Sequence, residues 1–133
     1  MKTVILLFII SISLFSASLK ISINGIDTYK KGRVWVFLFS EKNRELFPFG
    51  KGVKRSFYPK KITQKVVFRN LSKGQYAVAI FHDENSNRKL DENFLGFATE
   101  GRGFSNNSRF FESFRKSQIN INMTTSINIR MNY

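Results

Sequence analysis

The sequence predicts an all-β protein: a single antiparallel β-sandwich of about seven strands with one long inserted loop. Short stretches rich in β-branched and aromatic residues recur along the chain, many alternating apolar with polar side chains. We find no stretch with the apolar spacing of an amphipathic helix. The chain has 133 residues, which suits one domain.

The first half of the chain contains three predicted strands. Residues 19–26 alternate apolar and polar side chains, as expected of a strand buried on one face. Residues 33–40 are apolar on both faces, which predicts a central strand. A long connection interrupted by Pro48 and Pro59 follows. It has one short strand near residues 53–58.

The second half contains four more predicted strands and the long loop. Residues 62–70 and 75–82 form two of the strands, and two small alanines on one face of the second predict close packing beneath bulky groups. After the loop, residues 110–116 form either a helical turn or a return segment. Residues 118–123 and 126–133 complete the sheet strands.

The N-terminus has the features of a secretory signal peptide covering residues 1–18. Lys2 precedes an apolar run over residues 4–15, and small residues at 16–18 are suited to cleavage. The run is shorter than the roughly 20 residues that a membrane-spanning helix needs. We therefore predict an exported protein, periplasmic or secreted, with residues 19–133 as its β-sandwich domain and no transmembrane span after cleavage.

The absence of cysteine excludes disulfides and thiolate metal sites. An exported domain of this kind depends on its apolar core for stability.

Charge is distributed unevenly over the chain, whose net charge is +13. Residues 46–82 contain eight lysines and arginines and no acidic residue, whereas residues 83–100 contain five of the nine acidic residues. A basic surface attracts anions, and export argues against nucleic acid. The expected partner is an envelope or extracellular molecule, either an anionic glycan or a membrane headgroup. The alternative is that the basic stretch only reflects a lysine-rich composition.

The acidic loop has the spacing of a calcium-binding loop. Asp83, Asn85, Asn87 and Asp91 stand at positions one, three, five and nine, and Lys89 would offer its backbone carbonyl at position seven. Oxygen ligands at these positions converge on a hard cation. The five residues are therefore the predicted metal ligands, and calcium is the predicted cofactor.

Two positions depart from this pattern. Position six, which normally needs glycine for a left-handed backbone, is Arg88, and position twelve, where a glutamate normally closes the ligand shell, is Phe94. These changes predict weak affinity. The alternative is a loop whose side chains cap its own backbone without an ion. Phe94, Phe97 and Phe104 are expected to anchor the loop against the domain.

The block from Gly74 to Gly96, continued by residues 100–107, resembles the bacterial exported family called domain of unknown function 2141. The resemblance extends over about residues 19–133. It implies a transthyretin-like or immunoglobulin-like β-sandwich and no established activity. The family usually has Asn-Gly where this chain has Asn87-Arg88. A looser likeness, over about twenty residues, is to surface-adhesin B repeats, in which a comparable loop holds calcium.

We expect a binding or structural module, with a small-ligand carrier of the cell envelope as the alternative. Catalysis is not expected. His82 is the chain's one histidine, and a hydrolytic triad would require it beside Ser105 and an aspartate. Ser105 lacks the sequence context of a nucleophile elbow.

Overall fold

The computed structural model describes residues 16–108 and 113–133. Most of the predicted signal peptide, residues 1–18, lies outside these ranges, although Ala17 and Ser18 begin the first strand. The strands are β1 (Ala17–Asn24), β2 (Arg33–Ser40), β3 (Val53–Phe57), β4 (Gln64–Leu71), β5 (Gly74–Asp83), β6 (Arg102–Phe104), β7 (Ile119–Ile121) and β8 (Thr124–Arg130). The prediction of an all-β fold is confirmed.

The strands form two sheets. One has the order β4-β1-β8, and the other has the order β3-β2-β5-β6, with β7 also pairing with β5. The prediction of uniformly antiparallel strands is wrong for one pair, because β1 and β8 run parallel with Leu19 opposite Thr125. These strands stand at opposite ends of the chain, so no hairpin dictates their relative direction.

All seven predicted strands are present, with ends shifted by a few residues. An eighth strand, β6, was not predicted because it has only three residues, Arg102–Phe104, in a glycine-rich stretch. Its pairing with β5, which places Ile80 opposite Gly103, is a long-range contact without a local sequence pattern. Strand β2 is central, between β3 and β5, as its apolar faces predicted.

One core cluster takes side chains from both sheets. The alternating residues Leu19, Ile21 and Ile23 of β1 contribute to it, as does Val78 of β5. Burying such aliphatic side chains contributes about 1.5–3 kcal/mol each. Since the cluster contains strands of both sheets, it holds the two sheets together.

A second cluster lies on the opposite face of β2 and β5 and is aromatic. Its buried members are Phe37, Phe39, Ala77, Ala79, Phe81, Phe104 and Phe114. The two alanines leave room for the rings, which confirms the packing that the sequence predicted. The weakly patterned connection after β2 contributes Phe47 and Phe49, whose rings lie 5.5 Å from Phe39 and 5.3 Å from Phe81.

Two short helical segments flank this aromatic cluster. A 3-10 helix spans Glu41–Leu46, and the α-helix α1 spans Phe114–Ser117. The Ser113 hydroxyl caps α1 by accepting a hydrogen bond from the Lys116 amide. A helical turn was one of the two alternatives predicted for residues 110–116, and α1 overlaps this range. Residues 110–112 lie outside the described ranges. In the part of the chain that the structure describes, no helix has the length and apolar character needed to cross a membrane.

Candidate functional site: the acidic loop between β5 and β6

The acidic loop leaves the sheet at the end of β5 and returns at β6. Its first residue, Asp83, lies against the turn between β1 and β2. Gly32 in that turn has φ +90°, and a Cβ there would come within 1.8 Å of the Asp83 carbonyl oxygen. Glycine is therefore required at position 32 for the two turns to approach each other.

The Asp83 side chain organises the start of the loop. Its Oδ1 accepts a hydrogen bond from the Asn87 amide at 3.0 Å, and its Oδ2 accepts from the Arg88 amide at 3.0 Å. The indole Nε1 of Trp35 donates to the same Oδ2 at 3.4 Å. Asp83 is only 2 % exposed, so these donors replace the water that a buried carboxylate loses.

Two residues of this turn have left-handed backbones. Ser86 and Arg88 both have φ 63°. Position six of the predicted calcium loop therefore has the conformation that glycine normally provides, although Arg88 occupies it. The cost for a residue with a Cβ is about 1–2 kcal/mol. The Asp83 hydrogen bonds to the same backbone offset it.

The side chains of Asn85, Asn87 and Asp91 meet. Asn87 Nδ2 donates to Asp91 Oδ1 at 2.8 Å and to Oδ2 at 3.0 Å, and Asn85 Nδ2 also donates to Asp91 Oδ2. The amide oxygens cap the backbone, with Asn85 Oδ1 accepting from the Asn87 amide and Asn87 Oδ1 from the Lys89 amide. Asp83 joins the group by accepting a hydrogen bond from the Asn87 amide, so the four residues with predicted ligand side chains form one network.

Glu100 ties the end of the loop to its beginning. Its Oε1 accepts from the Glu84 amide at 2.9 Å, and its Oε2 accepts from the Asp91 amide at 3.1 Å. Burial raises the pKa of the Glu100 carboxyl because desolvation disfavours its charge, and the hydrogen bonds from the two amides oppose that rise. The spacing of Glu100 in the sequence did not assign it this role, since the contact depends on the path of the whole loop.

A salt bridge fastens the same region to the turn after β1. Lys30 Nζ lies 2.7 Å from Glu84 Oε2. Within the described ranges, no three histidine, aspartate or glutamate side chains are grouped so that they could hold a metal ion. A cation in this loop would therefore depend on asparagine and backbone oxygens in addition to carboxylates.

Beyond Asp91 the loop makes a second, tighter turn at residues 93–97. Asn93 Oδ1 accepts from the amides of Leu95 and Phe97, both at 3.0 Å. The prediction that Phe94 and Phe97 anchor the loop is wrong, because they are 95 % and 57 % exposed. The turn directs their side chains outward before the chain returns. Phe104, by contrast, is buried as predicted.

His82 is buried just before the loop, at the end of β5. Its Nδ1 lies 2.8 Å from the Tyr133 hydroxyl, which accepts a hydrogen bond from the Asp27 amide at 3.0 Å. Which of the two atoms donates in this hydrogen bond depends on the imidazole tautomer. Desolvation lowers the pKa of His82, and burial raises that of Tyr133 to about 12. Tyr133 was recognised only as a strand residue, since its partner is 51 positions away.

Ser105, the serine that a hydrolytic triad would require, is buried, and its hydroxyl hydrogen-bonds to backbone groups. Its Oγ accepts from the Val78 amide at 2.9 Å and donates to the Ser117 carbonyl oxygen. The hydrolase hypothesis required an open cleft beside His82, whereas the imidazole is buried and hydrogen-bonded to Tyr133. Ser105 therefore links β5 to α1, and His82 links the end of β5 to Tyr133.

Comparison with known proteins agrees with the resemblance noted in the sequence. None of the curated proteins matches the chain, and none of the solved structures does. A family described as an uncharacterized protein conserved in bacteria matches residues 21–128, a range that begins in β1, ends in β8 and contains the whole acidic loop. The chain therefore belongs to this bacterial family, domain of unknown function 2141.

Proposed function

We propose that the protein is an exported β-sandwich binding module whose loop at residues 83–91 takes calcium weakly. The observation that carries the proposal is the meeting of the Asn85, Asn87 and Asp91 side chains beside the turn capped by Asp83. These side chains supply the hard oxygen ligands that calcium prefers.

A cation would change the orientation of the two amides. Asn85 and Asn87 now direct their Nδ2 groups toward Asp91, and a cation bound to Asp91 would repel those groups. Rotation of each carboxamide by about 180° would present its oxygen instead. This rotation would remove the caps that Asn85 Oδ1 and Asn87 Oδ1 give to the Asn87 and Lys89 amides, which weakens the expected affinity. The left-handed Arg88 backbone already supports the turn that such a loop needs.

The competing proposal is that the loop only caps itself. The asparagine and aspartate side chains have hydrogen-bond partners without any ion, and such loops occur as plain turns. The two proposals differ in what calcium does to stability. An ion that binds only the folded state at 100 times its dissociation constant adds about 2.7 kcal/mol.

The test is thermal unfolding of residues 16–133 in EDTA and in calcium up to tens of millimolar, the range that a weak extracellular-type site requires. We expect the melting temperature to rise with calcium and the rise to disappear in Asp91→Asn. The matched control is Glu92→Gln, which removes the same charge from a neighbouring exposed side chain outside the network. If calcium does not raise the melting temperature of the parent chain, or if both variants lose that rise equally, the loop caps itself and does not bind calcium.

The basic side chains around β3 support an anionic partner for this module. Lys54 Nζ lies 5.1 Å from the centre of the Trp35 ring, and the Arg33 guanidinium lies 4.5 Å from that of Tyr58. Cations held on aromatic faces at a sheet edge can meet carboxylate or phosphate groups. An anionic glycan or a headgroup of the cell envelope is the partner that fits this charge.

The small-ligand carrier stays the alternative. It would require an enclosed cavity lined by aromatic side chains. In residues 16–108 and 113–133 the rings of the aromatic cluster pack on one another, with Phe37 and Phe81 stacked at 5.8 Å, so this cluster supports the module rather than a carrier.

A further inference from the structure

Three large apolar side chains stand in solvent at the turn of residues 93–97. They are Phe94, Leu95 and Phe97, with exposed fractions of 95 %, 65 % and 57 %. We call these three side chains the apolar tip. Single exposed apolar residues are ordinary on protein surfaces, but a compact group of large ones marks an interaction site.

Four backbone amides of this turn donate hydrogen bonds within the turn. The Asn93 amide donates to the Phe97 carbonyl oxygen at 2.8 Å, and the Gly96 amide donates to the Asn93 carbonyl oxygen at 2.9 Å. The Leu95 and Phe97 amides both donate to Asn93 Oδ1. These four amides can leave water without losing a hydrogen bond, which is the condition that an apolar phase imposes on a backbone.

Charge also favours a lipid surface. Residues 93–99 contain no charged side chain, so the turn carries nothing that resists entry into an interface. The protein as a whole has a net charge of +13, which attracts it to an anionic bilayer before the tip makes contact. Asp91 and Glu92 next to the turn oppose that attraction locally, whereas Arg88 and Lys89 in the same loop support it.

We propose that the apolar tip inserts into the headgroup region of an anionic phospholipid bilayer and anchors this module to a membrane surface. The two phenylalanines and the leucine enter the boundary between headgroups and acyl chains, while Arg88 and Lys89 of the same loop bind lipid phosphates. A concave pocket on another protein could also accept these side chains. Such a pocket can supply acceptors of its own and would not require these four amides to be hydrogen-bonded within the turn, so the bilayer is the better match.

Insertion of the apolar tip does not require calcium in the acidic loop, but a bound cation would affect it. A cation at Asp91 would neutralise charge beside the tip and bring the bilayer closer. Membrane binding would then increase with calcium, and Asp91→Asn would abolish only that increase. Loss of the tip would abolish binding in EDTA and in calcium alike, so the two proposals fail separately.

The experiment is co-sedimentation of residues 16–133, without the apolar N-terminal run, with two kinds of vesicle. One contains phosphatidylethanolamine and phosphatidylglycerol, and the other contains phosphatidylcholine alone. We expect binding to the phosphatidylglycerol vesicles, weakened about tenfold in Phe94→Ser because a large apolar side chain no longer leaves water. As a second readout, the emission of Leu95→Trp should shift to the blue when anionic vesicles are added.

The matched control is Met123→Ser. Met123 is also a large exposed apolar residue, but it follows β7, which pairs with the start of β5 rather than with the end that carries the loop. Binding should be unchanged in this variant. The proposal is overturned if the parent chain does not bind vesicles in EDTA or in calcium. It is also overturned if Phe94→Ser binds as well as the parent, since charge alone would then explain the association, or if Met123→Ser loses as much as Phe94→Ser.

Discussion

The two ends of the acidic loop invert the usual distribution of polarity. At the base, the Asp83 and Glu100 carboxylates are almost completely buried, and we call this pair the anchor. At the far end, Phe94 and Phe97 of the apolar tip stand in solvent. Within this one loop, charged groups are buried and aromatic rings are exposed. The loop has fewer than about 20 residues, which is still longer than most connections in compact domains.

The difference shows what each residue type does for the backbone. The anchor accepts hydrogen bonds from the amides of Glu84, Asp91 and Arg88, among others, and these amides have no sheet partner. A buried carboxylate can satisfy several such donors at once, whereas a phenylalanine can satisfy none. The anchor therefore serves the fold, and the tip is free for an interaction outside the chain.

The largest effect should come from removing the anchor. Asp83→Ala leaves the Asn87 and Arg88 amides and the Trp35 indole without their acceptor. We expect the free energy of unfolding to fall by about 3 kcal/mol, whereas Phe94→Ser should change it by less than about 0.5 kcal/mol. Urea denaturation of both variants measures the contrast, and similar losses in the two would contradict the assignment of anchor and tip.

The next effect concerns pH. Because burial lowers the pKa of His82 below 6.5, the folded state binds its proton less readily than the unfolded state does. The His82 contribution to stability is therefore fully present above pH 6.5 and is lost as the pH falls through the lowered pKa. The charged and titratable groups that act on the imidazole are Tyr133, Glu84, Lys30 and Asp27.

The measurement is the urea midpoint from pH 7.5 to pH 4 for the parent chain and for His82→Gln, which cannot gain a proton. The parent should lose stability on acidification in the window below pH 6.5, and His82→Gln should lose less there. The raised pKa of Glu100 acts in the opposite sense, since its contribution is present below pH 4.5 and is lost as the pH rises through the raised value. Parallel pH profiles for the two chains would contradict the role given to His82.

The smallest effect should come from relieving the turn between anchor and tip. Arg88→Gly removes the Cβ from a backbone with φ 63°, and we expect a gain of about 1 kcal/mol in the free energy of unfolding. If the loop takes calcium, the same change should also raise its affinity, since it restores glycine at position six. Arg44→Gly, in the short helix of residues 41–46, is the control and should destabilise the chain.

Much of the fold follows from local pattern. The alternation in β1 and the apolar faces of β2 and β5 predicted strands because side chains of a strand project to opposite faces. The alanines of β5 correctly predicted the aromatic cluster, since small side chains leave space above the sheet. The Asp-x-Asn-x-Asn spacing also drew attention to Asn85, Asn87 and Asp91, whose side chains contact one another, while their binding of calcium stays a prediction.

Other features depend on contacts between distant parts of the chain. The parallel pairing of β1 with β8, the role of Glu100 in closing the loop and the contact of His82 with Tyr133 join residues that no short pattern relates. The exposure of Phe94 is of the same kind. The sequence alone determined that this region is a loop rich in oxygen ligands and phenylalanine. Only the tertiary structure decided that the Asp83 and Glu100 carboxylates are buried and the Phe94 and Phe97 rings are exposed, because the two buried carboxylates accept hydrogen bonds from backbone amides of the loop.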